Sequence, residues 1–106
     1  MAEFLAFFSK TVAERCAEGS RQSVEEDQCV FHAHARADGL VGVVICDPEY
    51  PWRVAFSLIG KMMEEFTTLY NDFDINLTHL SSPASTNAVT TVPGRVVCIT
   101  LLDDLC

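Results

Sequence analysis

A chain of 106 residues with 49% hydrophobic and 21% charged side chains has the composition of one ordinary globular domain, or part of one. Fifteen acidic residues against seven basic ones give a net charge of −8 with no basic run. That balance argues against nucleic acid and anionic lipid surfaces as partners, because both attract basic patches.

Residues 3–17 read as an amphipathic helix. Phe4, Phe7, Phe8, Thr11 and Val12 fall at i, i+3, i+4, i+7 and i+8, with Leu5 and Cys16 beside them. Gly19 is placed to end this helix in a left-handed cap. "RQSVEEDQ" (21–28) reads as a polar edge strand, where charges discourage further pairing. "CVFHAHAR" (29–36) alternates Phe31, Ala33 and Ala35 against Val30, His32, His34 and Arg36. Ala37-Asp38-Gly39 then supplies the chemistry of a tight hairpin turn.

The strand Leu40–Cys46 is apolar throughout, so both of its faces must be covered. Pro51 suits the start of the next helix, 51–67. Along it Ala55, Leu58, Ile59, Met62 and Phe66 keep helical spacing, with Phe56 and Met63 alongside and Arg53, Ser57, Lys61 and Glu64 opposite. Beyond Thr68, residues 71–94 are rich in Ser, Thr and Asn and read as loop, followed by one strand-like run, 95–102. The expected class is α+β, with antiparallel strands flanked by helices on both faces.

Signals for chemistry are sparse. His32 and His34 at i, i+2 have a spacing that can grip a metal, but no third ligand shows recognisable spacing, and a structural pair is the simpler reading. Cys29 near His32 lacks any nucleophile signature. Glu25, Glu26 and Asp27 read as a solvated acidic strand or turn, and Met62-Met63 as core. The expectation is no catalytic residue, no cofactor, no metal and no small-molecule substrate. The chain shows no signal peptide and no bilayer-spanning run, since about 20 apolar residues are needed for the latter. A cytoplasmic location follows, with reduced thiols. The acceptor pattern Asn76-Leu77-Thr78 then reads as chance.

One resemblance adds to this. "EFLAFFSKTVAER", "GSRQSVEEDQ" and "FHAHARADGLVGVVICDPEYPWRVAFSLIGKMMEEF" resemble, in order and spacing, the longin domain of the lipid-anchored, YKT-type R-SNAREs. The resemblance implies a partial longin, profilin-like domain over 1–67: first helix 3–17, last three strands 22–46, second helix 51–67. It implies a role in vesicle-mediated transport and membrane fusion through contact with SNARE helices and other trafficking proteins. Members act at Golgi, endoplasmic reticulum, vesicle and vacuolar or endosomal membranes.

By motif position, the interaction groove would lie along Phe4, Phe7, Phe8, Thr11 and Val24. Two strands that open a longin domain, the SNARE heptads and a terminal prenylation box are missing from this sequence, so the expectation is a chain truncated at both ends, with residues 68–106 divergent and no membrane anchor of its own. The alternatives are a stand-alone longin-like trafficking adaptor, or a small thiol or metal enzyme built on Cys29, His32 and His34. Loss of a central first strand would leave 40–46 with an open edge, and 95–102 is the only β-rich run left to pair with it.

Overall fold

The computed structural model describes residues 3–26, 28–69 and 88–102. In chain order these form α1 (Glu3–Arg15), β1 (Arg21–Glu26), β2 (Cys29–Ala35), β3 (Leu40–Cys46), α2 (Trp52–Leu69), β4 (Ala88–Val92) and β5 (Arg95–Leu101). The strands make one sheet in the order β1-β2-β3-β5-β4. Its pairings are antiparallel except that of β3 with β5, which sets Leu40 opposite Val96 and Val44 opposite Thr100 in parallel. The class is α+β as expected, but the sheet is mixed and not wholly antiparallel. Parallel neighbours need a long crossover between them, and here α2 and β4 intervene between β3 and β5.

The apolar run 40–46 explains the layering. Every residue of β3 is buried, because α1 covers one face of the sheet and α2 the other. On the α1 side, Phe31, Ala33, Val43, Ile45, Val97 and Ile99 pack with Val12 and Ala13. On the α2 side, Leu40, Val44 and Cys98 pack with Ile59, Met62 and Phe66. The buried Thr100 hydroxyl donates to the Met62 sulfur at 2.8 Å, which gives this one polar core group a partner.

Local chemistry sets the boundaries. Gly19 follows α1 with φ at +76° and donates its N–H to the Ala35 carbonyl at 2.7 Å, tying the helix end to β2. Asp47 closes β3: its carboxylate accepts from the Glu49 amide at 2.7 Å and its carbonyl from the Tyr50 amide at 3.0 Å. The Pro51 carbonyl then accepts from the Ala55 amide at 3.1 Å, so Pro51 stands one position before the first helical residue and not at it.

β4 falls inside the stretch 71–94 that reads as loop. The short run Ala88–Val92 has two threonines and no alternation that distinguishes it from the polar segment before it. The signal lay in Pro93-Gly94: the two residues join paired Val92 and Arg95, with Gly94 at φ +76°. Proline followed by a residue at positive φ is a turn signature. Residues 71–87 lie outside the described residues, as does the Asn76-Leu77-Thr78 pattern.

Arg95 joins the C-terminal hairpin to α1. One of its guanidinium nitrogens donates to the Ala13 carbonyl and, at 2.6 Å, to the Cys16 carbonyl. Carbonyls in the last turn of a helix lack intrahelical donors, and a cation there also meets the negative end of the helix dipole. Replacing Arg95 by Met keeps most of the stem but removes both bonds. We expect Arg95→Met to lose roughly 1–2 kcal/mol in urea unfolding. An unchanged midpoint would show that the contact contributes nothing.

Candidate functional site

Surface helix α1 carries the residues that the sequence marks as a groove. Phe4 lies in its first turn, near Phe7, Phe8 and Thr11. The buried stripe keeps Val12 and Cys16 of the expected one but runs also through Ser9 and Ala13, with Phe8 half-buried beside it. Ser9 and Ala13 are small enough to let α1 approach the sheet, and Phe7 is thereby turned out to 69% exposure.

Phe8 faces the other way, its ring tilted on Phe31 with centroids 4.8 Å apart. Val24, on β1, is half-buried against the same core as Phe8. The Thr11 hydroxyl donates to the Phe7 carbonyl at 3.2 Å, a bond back along its own helix. Four of the five residues thus divide: Phe8 and Val24 meet the core, and Phe7 is exposed with half-buried Thr11 one turn on. A helical period could not separate Phe7 from Phe8, because neighbouring residues share a wide stripe.

The residues weighed for chemistry are otherwise engaged. His32 is 4% exposed, its Nδ1 lies 2.7 Å from the Ser23 hydroxyl, and its ring meets the Phe56 ring edge-on. Cys29 is disulfide-bonded, which departs from the expectation of five reduced thiols and removes it as a nucleophile. Cys46 and Cys98 are free and buried. Burial pushes their thiols up to about 11 and about 12, far from the thiolate that reactivity needs. Among the described residues no three metal-ligating side chains cluster. Glu25 and Glu26 are exposed on β1, and Asp27 lies outside the described residues.

An open depression is lined by Arg36, Glu64, Thr67 and Thr68, and its one cation is engaged within the chain. Arg36 is ion-paired with Asp38 and donates to the Thr67 hydroxyl at 3.2 Å.

His32 does make stability depend on pH. Burial lowers its pKa below the ordinary 6.5, and His34 is lowered by burial and by the nearby Arg21 and Arg36. The folded state therefore binds protons less readily than the unfolded chain. The stability present above pH 6.5 is lost as pH falls through the folded-state values. Thermal midpoints are expected to drop by a few degrees between pH 7.5 and 5.5, and a His32→Gln, His34→Gln variant should flatten that slope. An equal slope in both proteins would place the titration elsewhere.

Comparison with known proteins identifies the family. The family described as a longin, regulated-SNARE-like domain matches residues 1–88. The synaptobrevin homolog ykt6 of Schizosaccharomyces pombe is 53% identical over 68 residues, which cover 64% of this chain and 34% of that protein. Its counterpart of Debaryomyces hansenii is 43% identical over 74 residues, 70% of this chain and 37% of the relative. That of Saccharomyces cerevisiae is 44% identical over 66 residues, 62% of this chain and 33% of the relative. The chain spans about a third of the length of these relatives. With a family match over most of its length and a helix–sheet–helix arrangement that accommodates it, the chain belongs to the longin family of regulated-SNARE-like domains.

Proposed function

We propose that this chain acts by protein contact as the longin module of an R-SNARE in vesicle-mediated transport and membrane fusion, receiving a SNARE helix along α1 and β1. The observation that carries the reading is Phe7: a large apolar side chain, 69% exposed on a helix whose other face is packed, with Phe8 and Val24 meeting the core. An amphipathic helix laid there would cover Phe7 and use groups at i, i+3 and i+4 as anchors. The work is contact and not catalysis, and it takes place on the cytoplasmic side of Golgi, endoplasmic reticulum, vesicle and vacuolar or endosomal membranes. Residues 1–67 carry the longin part, and the hairpin β4–β5 extends its sheet beside β3.

The test is a nuclear magnetic resonance titration of the whole chain with a synthetic SNARE-motif helix from one of the yeast relatives. The expected result is chemical-shift change confined to α1 and β1 amides, lost in Phe7→Asp. Saturable binding with changes only elsewhere, or no change at all, would refute the groove.

A further inference from the structure

On the face of the sheet opposite that groove, four side chains form a continuous stack. Arg53 lies over the Trp52 ring, 5.3 Å from its centroid, and Trp52 meets Phe56 edge-on at 6.3 Å. Arg21, on β1, lies 5.5 Å over the Phe56 ring, which His32 also meets edge-on at 5.2 Å. The stack is anchored from below, since His32 is held by Ser23 and Phe56 packs against the α2-side core. From above it is open, because Trp52 is 55% exposed.

Two features set this surface apart from a chance aromatic contact. First, neither the Arg21 nor the Arg53 side chain has an ion pair or hydrogen bond among the described residues, although acids outnumber basic residues fifteen to seven in the chain. Arg36 and Arg95, by contrast, spend their donors internally. A guanidinium stacked on a ring keeps its in-plane N–H donors for an acceptor, and it has already lost the side-chain freedom that binding would otherwise cost. Second, tryptophan and arginine are the residue types that most often dominate binding energy at protein interfaces.

We propose that the Arg53–Trp52–Phe56–Arg21 stack is a second docking surface, for a short acidic segment of a partner protein that carries an apolar residue between its carboxylates. Charge complementarity selects the occupant: two arginines without an ion pair among the described residues call for carboxylates, and the exposed Trp52 ring calls for an apolar group between them. A flat anionic bilayer is a poorer fit. It would also meet Asp47 and the exposed Glu49 on the turn leading into α2, and the net charge of −8 repels it. This surface lies on the α2 side of the sheet, so it stands or falls independently of the SNARE-helix groove.

Trp52 is the only tryptophan in the chain, so its emission reports on this site alone. Titrate the whole chain with a hexapeptide in which one phenylalanine is flanked by glutamates and aspartates, with its lysine-substituted counterpart, and with phosphatidylserine vesicles. The expected result is a saturable shift of Trp52 emission with the acidic peptide only, weakened by added salt. A doubly substituted Arg21→Gln, Arg53→Gln chain, checked for native circular dichroism, should bind about tenfold more weakly. No saturable shift with the acidic peptide overturns the proposal, as does equal binding by the double variant. A shift with vesicles but not with the peptide would assign the surface to membrane instead.

Discussion

Removing residues 88–106 is expected to abolish the cooperative unfolding of this chain. The segment brings Val96, Val97, Cys98 and Ile99 into the core at no more than 1% exposure, on both faces of the sheet. Burying each of the three aliphatic side chains is worth roughly 1.5–3 kcal/mol. Together they rival the roughly 5–15 kcal/mol that separates folded from unfolded states in small domains. Deletion also uncovers the edge of β3, along which the carbonyls of Ile45 and of Gly39 just before the strand now accept from the Leu102 and Val96 amides at 2.9 and 2.8 Å. An open, flat, apolar strand edge is a template for aggregation. The shortened chain should bind a hydrophobic dye such as ANS, lose its sharp thermal transition and precipitate at concentrations where the whole chain stays in solution. Equal solubility and an unchanged transition would make the hairpin a passenger.

The second large effect is expected at Gly42, in the middle of β3. A β-carbon there would stand 2.7 Å from the Ile59 Cγ2 and 3.1 Å from the Met63 Cγ and Sδ. Glycine thus sets how closely α2 lies on the sheet. Gly42→Ala gains a little from the lower entropy of the unfolded chain, but overpacking outweighs it, for a net loss of about 1–3 kcal/mol. Gly42→Val, with two further carbons in the same space, should lose more. The clash has a named partner, so it has a specific rescue. Ile59→Ala removes the offending methyl, leaves a cavity in the wild-type chain, and should cost far less in the Gly42→Ala background. Urea unfolding of the four proteins measures this coupling. Strict additivity, or a Gly42→Ala protein as stable as wild type, would mean that α2 is free to move away.

Much of this architecture was legible in the order of residues, for identifiable reasons. The run 40–46 demanded cover on both faces, and α1 and α2 supply it. The alternation of Phe31, Ala33 and Ala35 against His32 and His34 put the two sets on opposite faces, where they are. Residues 95–102 were the only strand-like partner for the edge of 40–46, and β5 lies there.

Other features depended on contacts that no period encodes. β4 has too few apolar positions to stand out, and only pairing with β5 makes it a strand. Periodicity placed both Phe7 and Phe8 on the apolar arc. Which of them would be buried was decided by Ser9 and Ala13 drawing α1 onto the sheet. The stack on Trp52 was invisible because its members, Arg21, Trp52, Arg53 and Phe56, come from two distant elements.

The central claim is that a longin sheet is closed by a C-terminal hairpin whose strand β5 lies beyond the family match at residues 1–88. Amide hydrogen exchange at Val96 tests it most directly, since that N–H is bonded to the Gly39 carbonyl across the β3–β5 junction. If the hairpin is integral, the Val96 amide exchanges only when the whole domain unfolds, at the same free energy as the amides of β2 and β3. Exchange at the rate of an unprotected peptide, while β2 and β3 remain protected, would contradict the account.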